Sequence, residues 1–176
     1  IKLNKYTSNK FVSKLLFTKF FFAFAFNCYV SIVVLFIKDN FNLSSQGIGL
    51  IFLVLGIYLI INQGFVTKIL ADKFGNLKAF YFGQIAMIIG LTLQITNPNL
   101  ITFLIFAYLI NLGFSTSFPT FKTLITTSVD HKQQGEISGI DESIVSVSGA
   151  LAPFIAGIAY QSFAQFAFVA FAIVIL

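Results

Sequence analysis

Two acidic residues stand side by side in this chain, and they are its first candidates for chemistry. Asp141 and Glu142 are the only adjacent acids, and an uncharged run follows them from residue 143 to residue 176. If a helix begins near Gly135, Glu142 lies roughly 10 Å along it, at about 1.5 Å per residue. A carboxylate at the edge of an apolar layer can act in proton coupling or as a gate, because burial favours its neutral form. The alternative is a pair of interfacial acids placed favourably near a helix N-terminus.

Uncharged polar side chains form a second group of candidates, because they interrupt long apolar runs. The residues are Asn27, Tyr58, Asn62, Gln63, Asn111 and Ser115. Several lie four residues apart, and residues at i and i+4 share one helical face. A polar face in contact with lipid would lack partners, so we expect it against protein or a water-filled path. We predict that these residues line a cavity; the alternative is hydrogen bonding between neighbouring helices, at about 0.6 kcal/mol each.

Other kinds of chemistry find little support. The single cysteine, Cys28, lies in an apolar run and gives no disulfide framework or metal-ligand spacing, so it is expected to be a small buried hydrophobe. His131 falls in the loop DHKQQGE, where we expect it to be solvated. The segment SVSGA contains serines, but no span carries a histidine that could activate them. The chain also has no phosphate-binding loop. We therefore predict neither an enzyme nor a metal or cofactor site.

The elements that carry these residues are long apolar helices. The chain is 57% hydrophobic and only 10% charged, whereas a soluble domain is about one quarter charged. Its charges cluster between uncharged runs, and runs of about 18 or more apolar residues indicate membrane spans. We predict an all-α, polytopic membrane bundle that follows a polar segment at residues 1–14. The predicted spans are residues 15–37, 46–67, 79–95, 100–126, 137–160 and 163–176.

Local signals mark several helix ends. Ser44 and Ser45 are plausible N-caps for the second span. Pro98 indicates a turn before the fourth span, which Pro119 is expected to interrupt. The chain begins at Ile1 rather than Met and stops inside an apolar run of about 14 residues. We expect a fragment whose last helix is truncated.

The lysines are distributed unevenly over the two sides that these spans define. Of the 11 lysines, only Lys38 falls on the side opposite to the N-terminus. The positive-inside rule therefore predicts a cytoplasmic N-terminus. The lysines flank apolar runs and form no basic face, which excludes nucleic acid as a partner and leaves membrane lipid.

The segment KILADKFGNLK, residues 68–78, carries three of these lysines and one aspartate. We predict a tight charged turn, in which Gly75 can adopt a left-handed conformation and the Asp72 carboxylate can accept from backbone N–H groups at a helix start. LADKFG resembles the cytoplasmic loop motif G-x-L-A-D-R-x-G-R-K of the major facilitator superfamily. The matching residues are Leu70, Ala71, Asp72, Lys73 and Gly75. Lys68 replaces the first glycine of the motif. Asn76 and Leu77 replace its basic pair, and Lys78 follows one place later.

Two further stretches are similar to the same superfamily. QGEISGIDESIVSVSGALAPFIAGIAY resembles the eleventh helix of drug:proton antiporters of the tetracycline-efflux type, with Gly149, Pro153 and Gly157 at matching places. LSSQGIGLIFLVLGI is similar to the start of that family's eighth helix. Small residues at such spacing suit close helix packing, and Pro153 could allow flexing. The resemblance covers essentially the whole chain, as helices seven to eleven and part of twelve.

The resemblance implies the C-terminal six-helix half of the fold, built as a 3+3 inverted repeat. It implies a multi-pass protein of the plasma or inner membrane that exports small amphipathic compounds by alternating access. A proton gradient would supply the energy, Asp72 and Lys73 would take part in gating, and the missing N-terminal half would be the partner. Two alternatives stay open: an importer of a small solute, and a non-transporting half that acts as a membrane assembly partner.

Overall fold

The computed structural model describes residues 10–96 and 99–175, and over those residues the chain folds into helices without a strand. We number the helices in chain order. They are α1 Lys10–Phe41, α2 Ser45–Phe74, α3 Asn76–Leu93, α4 Leu100–Thr127, α5 Gln134–Phe163 and α6 Ala167–Ile175. Short 3-10 turns, His131–Gln133 and Ala164–Phe166, precede α5 and α6. Among the described residues, five helical segments are long and apolar enough to cross a membrane, the last of them, His131–Ile175, containing both α5 and α6.

Helices α1 and α5 run parallel and are joined along their length by polar contacts. Near their N-termini Lys19 lies beside Asp141, and near their C-termini the Tyr160 hydroxyl donates to Asp39 at 2.9 Å. Between these contacts, the Asn27 amide donates to Ser148 at 3.1 Å. We call these three pairs the polar seam. The N-termini of α1 and α5, with the C-termini of α2 and α4, form what we call the lysine-rich end.

Helices α3 and α4 run antiparallel and approach each other closely through glycines. A Cβ atom added at Gly83, Gly90 or Gly113 would lie within 3 Å of backbone atoms of the facing helix. The Ser117 hydroxyl donates across the same contact to the Phe80 carbonyl at 3.1 Å. Small residues permit this close approach. It maximises van der Waals contact, which matters in a membrane because no hydrophobic effect drives helices together there. We call Gly83, Gly90 and Gly113 the glycine seam.

The connection between α2 and α3 differs from the predicted turn at residues 68–78. Helix α2 continues through a π-helical stretch, Asn62–Val66, to Phe74, and Asn76 already begins α3. Only Gly75 leaves the helical conformation, with φ +81°, which confirms the need for glycine at this position. The predicted cap by Asp72 was wrong, because Asp72 belongs to the last turn of α2 and no side chain caps α3.

Proline does not interrupt α4, contrary to expectation. The helix runs unbroken from Leu100 to Thr127 with Pro119 inside it. Because proline has no N–H, the Ser115 carbonyl four residues earlier loses its intrahelical donor. The Thr67 hydroxyl of α2 lies 3.0 Å from that carbonyl and can replace the donor, although its single proton is shared with the Asn62 carbonyl of its own helix at 2.9 Å. The contact lets α4 continue and ties it to α2.

Caps account for two helix starts. Ser44 is confirmed as the N-cap of α2, where its side chain accepts from the Gly47 N–H at 3.3 Å. Asn99 caps α4 in a capping box with Thr102. The turn predicted at Pro98 lies outside the described residues.

Candidate functional site

A buried ion pair lies at the lysine-rich end of the bundle. The Lys19 ammonium is 3.5 Å from an Asp141 carboxylate oxygen, and the two side chains are 0% and 1% exposed. Asp141 belongs to the buried face of α5, which it shares with Ile137 and Ser148. Lys19 also lies 3.8 Å from the centre of the Phe118 ring. Such aromatic contacts attract an ammonium group, so α4 as well as α5 holds this side chain.

A second ion pair lies beside the first and faces outward. Lys122 of α4 donates to Glu142 of α5 at 2.6 Å, and both side chains are about half exposed. Because Glu142 follows Asp141 directly, the two pairs form one group of alternating charges. We call Lys19, Lys122, Asp141 and Glu142 the charge cluster.

The sequence identified both acids of the charge cluster as candidates but missed the role of Lys19. From the sequence, Lys19 was interpreted only as one of the lysines that set the orientation of the protein in the membrane. A signal was available, because Lys19 lies inside the predicted first span, where an ionisable residue needs a partner. Asp141, the single acid on the inward face of the fifth helix, was the natural choice.

An apolar cavity of about 270 Å³ lies between α1, α2 and α4. Its wall combines aliphatic side chains with four aromatic ones, Phe26, Tyr29, Phe52 and Phe114, and we call it the aromatic cavity. The rings of Phe26 and Phe114 are stacked, with centres 3.6 Å apart. Asn111 supplies an amide to the cavity, and this amide also donates to the Leu55 carbonyl at 3.2 Å. Of the predicted cavity residues, Asn111 alone lines this space.

The other predicted cavity residues occupy several different environments. Asn62 is fully buried at the π-helical stretch of α2, where its side chain accepts from the Tyr108 hydroxyl at 3.3 Å. Tyr58 packs edge-on against the ring of Tyr108, with centres 5.0 Å apart. Ser115 is buried and donates to its own helix at 3.1 Å. Asn27 belongs to the polar seam described above.

A larger cleft of about 590 Å³ opens at the lysine-rich end between α2 and α4. Gln63, Ala71 and Asp72 line its α2 side, and Lys122 and Pro119 lie on its α4 side. Asp72 and Lys73 are exposed, as is the turn at Gly75, whereas Leu70 is partly buried. The loop motif is therefore displayed at the mouth of this cleft.

The small residues of α5 do not share one environment. A Cβ atom on Gly149 would lie 3.8 Å from the Asn27 amide, whereas one on Gly157 would have no atom within 4 Å, and Pro153 is exposed. The face that packs inside the described chain instead contains Ala152 and Ala156. Cys28 packs there too, fully buried, which confirms its expected place, and His131 is exposed as expected.

Helices of membrane-spanning length, an aromatic cavity and a charge pair buried in an otherwise mainly apolar interior define a polytopic membrane protein. The family model of the Major Facilitator Superfamily matches residues 15–176, and the chain belongs to that superfamily. The match confirms the resemblance that the motifs indicated, and it identifies a multi-pass membrane protein.

Two comparisons give the breadth of the relationship. The chain is 28% identical over 133 residues to the tetracycline resistance protein, class C, of Escherichia coli, a match that covers 75% of this chain and 33% of that protein. A crystal structure of a mutant of the peptide transporter POT in complex with sulfate shares its fold, with a TM-score of 0.79 at 20% identity over 94% of this chain and 35% of that one. The chain thus spans about a third of the length of these relatives.

Proposed function

We propose that this chain is the C-terminal half of a proton-coupled transporter that exports small amphipathic compounds by alternating access. In such transporters two halves rock against each other around a central site. The N-terminal half would supply the other wall of that site. The proposal places the lysine-rich end, and with it the N-terminus, in the cytoplasm, in accordance with the distribution of lysines.

The observation that carries this proposal is the aromatic cavity between α1, α2 and α4. A space of about 270 Å³ with the ring of Phe114 and the Asn111 amide in its α4 wall suits a compound with an apolar body and one polar group. The similarity to a tetracycline resistance protein agrees with export of a compound of this kind. The buried carboxylate of Asp141 supplies a group that could bind the coupled proton.

Transport into inside-out membrane vesicles tests the function. Vesicles with an acidic interior, prepared from cells that express the complete gene product, should accumulate tetracycline or ethidium and lose part of their pH gradient. A protonophore should abolish the uptake, and vesicles from cells without the gene serve as the control. Movement of the probe together with protons would instead indicate an importer. Lack of any movement at normal membrane levels would favour the non-transporting assembly partner.

The loop motif provides a narrower test of gating. Asp72 is exposed at the mouth of the cleft, and its carboxylate forms no hydrogen bond or ion pair with the described residues. The carboxylate is therefore free to bind a group of the N-terminal half. We expect Asp72→Ala to abolish export while the protein keeps its normal membrane level. Asp130→Asn, at an exposed acid of the same end, is the matched control and should export normally. Unchanged export by Asp72→Ala would remove gating from this loop.

A further inference from the structure

The Lys19–Asp141 pair is poorly suited to a purely structural task. Its separation of 3.5 Å exceeds the 2.7–2.9 Å or so of a charge-assisted hydrogen bond. Within the described part of the chain, neither the Lys19 ammonium nor either Asp141 oxygen has a hydrogen-bond partner. Taking two charges out of water is costly, and an apolar pair of similar volume often stabilises a protein as well or better. A role beyond stability would explain why these charges are buried.

Lys19 contacts two helices by two different kinds of interaction. A carboxylate attracts it toward α5, and the rings of Phe118 and Phe121, whose centres are 3.8 and 5.5 Å away, attract it toward α4. The attraction of the ammonium to the rings does not depend on the protonation state of Asp141. Its attraction to Asp141 exists only while that carboxylate is ionised. The balance between the two helices is therefore sensitive to a single proton.

The neighbouring charges offer Lys19 another partner. The charged groups that act on Asp141 are Lys19 from α1, Glu142 of α5 itself and Lys122 from α4. Glu142 is about half exposed and paired with Lys122, so it stays within reach of water. If Asp141 is neutral, Glu142 becomes the acid that attracts the buried ammonium.

We propose that Lys19 and Asp141 form a proton-exchange site, in which Lys19 is the positioning residue that reports the state of Asp141 to α4. Ionised Asp141 holds the ammonium against α5. A proton taken up by an Asp141 oxygen ends that attraction and leaves the ammonium, still charged, held by the rings of α4 and attracted by Glu142; loss of that proton restores the pair. Because α4 also carries Asn111 and Phe114 of the aromatic cavity, proton binding would alter the substrate site. This inference rests on the proposed function.

A set of four variants of the complete protein separates coupling from stability. Lys19→Met and Asp141→Asn each leave one charge buried without its partner, so both should lower the melting temperature and the membrane level. The double variant, Lys19→Met with Asp141→Asn, removes both charges and should restore both quantities. It should nevertheless lose proton-driven accumulation of tetracycline or ethidium at least tenfold, while downhill equilibration of the probe continues. The matched control, Lys132→Met with Asp130→Asn, removes two exposed charges of the same end that lie outside the charge cluster, and it should keep most of the accumulation.

Accumulation by the double variant at the level of the unmodified protein would overturn the inference, because the pair would then be structural only. A conservative variant decides the matter if the double variant does not fold. In Lys19→Arg the guanidinium can bind the carboxylate through two hydrogen bonds, which favours the ionised form. The pH at which transport is half-maximal should therefore move to more acidic values. An unchanged pH profile would also overturn the inference.

Infrared spectroscopy separates the failure of this site from the failure of the proposed function. Should the unmodified protein move neither probe, the function fails, yet the site can still be examined. A carbonyl stretch of a protonated carboxyl that titrates with pH, and that disappears in the double variant, would support the exchange site. Absence of any titrating band would overturn it.

Discussion

The two helix pairs at the centre of the molecule are held together in opposite ways. The polar seam between α1 and α5 consists of hydrogen bonds and an ion pair, such as the Asn27–Ser148 bond of 3.1 Å. The glycine seam between α3 and α4 consists of backbone contact, in which a Cβ on Gly113 would lie 2.6 Å from the Met87 nitrogen. Polar contacts can break and form again with other partners, whereas separating closely packed backbones loses van der Waals contact along the whole seam. The difference indicates a rigid α3–α4 unit beside a seam that can rearrange.

This difference agrees with where the candidate chemistry lies. The charge cluster and Asn27 belong to the polar seam or adjoin it, and the glycine seam contains no ionisable group. Buried polar contacts in membranes contribute only about 0.6 kcal/mol each, so several can be exchanged at little cost. A transporter that rocks between two states needs both a surface that rearranges and a unit that keeps its shape.

The largest effect is expected from enlarging a residue of the glycine seam. In Gly113→Ala the new methyl group would lie 2.5 Å from the Gly83 carbonyl oxygen and 2.6 Å from the Met87 nitrogen, so the two backbones must separate. Overpacking of this kind costs about 1–3 kcal/mol. The melting temperature, measured by reaction of a maleimide dye with the buried thiol of Cys28, should fall clearly.

The matched control for that change is Gly49→Ala. Gly49 lies in the first turns of α2, where an added Cβ meets no atom within 4 Å. The substitution should leave the melting temperature unchanged or raise it slightly, since alanine favours a helix over glycine. Equal melting temperatures for the Gly113→Ala variant and the unmodified protein would refute the rigid glycine seam.

An intermediate effect is expected between α2 and α4, where a polar contact replaces a missing backbone bond. Thr67→Val removes the hydroxyl that donates to the Ser115 carbonyl at 3.0 Å. A buried carbonyl without a donor costs about 1–3 kcal/mol, and membrane contacts tend toward the lower value. Adding Pro119→Ala to Thr67→Val restores a backbone N–H within α4 and should recover much of the loss. Thermal unfolding of both single variants and the double variant measures this coupling; strict additivity would contradict the explanation.

The sequence predicted the class of fold well because its strongest signals are local. Long uncharged runs identify helices of membrane length without any knowledge of their neighbours. Ser44 indicates a helix start because serine is a preferred N-cap residue. Predictions that depended on contacts between distant segments were less complete. Pro119 was expected to break α4 because the donor that replaces its N–H, Thr67, lies 48 residues before the Ser115 carbonyl that it serves. Lys19 was treated as a topological charge because its partner is on α5.

The candidate site was predictable only in outline for the same reason. A spacing of four places polar residues on one helical face, but it does not tell which neighbour that face meets. Asn111 lines a cavity, whereas Asn62 is buried beside Tyr108. The glycine seam was missed entirely, although Gly83 and Gly90 are seven residues apart and so lie on one face of α3.

The smallest effect on stability is expected from a substitution in the middle of the polar seam, and it provides the most sensitive test of the difference between the two seams. Asn27→Ala removes the bond to Ser148 and should cost about 0.6 kcal/mol, because a single membrane hydrogen bond contributes no more on average. Local opening of the seam should expose the adjacent Cys28 about threefold more often, and the rate of maleimide labelling below the melting temperature reports that opening. Ser31→Ala is the matched control and should leave the labelling rate unchanged, since Ser31 donates only within α1, to the Asn27 carbonyl at 2.7 Å.

The Gly113→Ala variant should lower the melting temperature far more than Asn27→Ala does. It should nevertheless increase the labelling of Cys28 less at low temperature, because the substitution disturbs the other seam. Equal effects of the two variants on the labelling rate would mean that α1 and α5 open together with α3 and α4, and the two seams would then not be mechanically distinct.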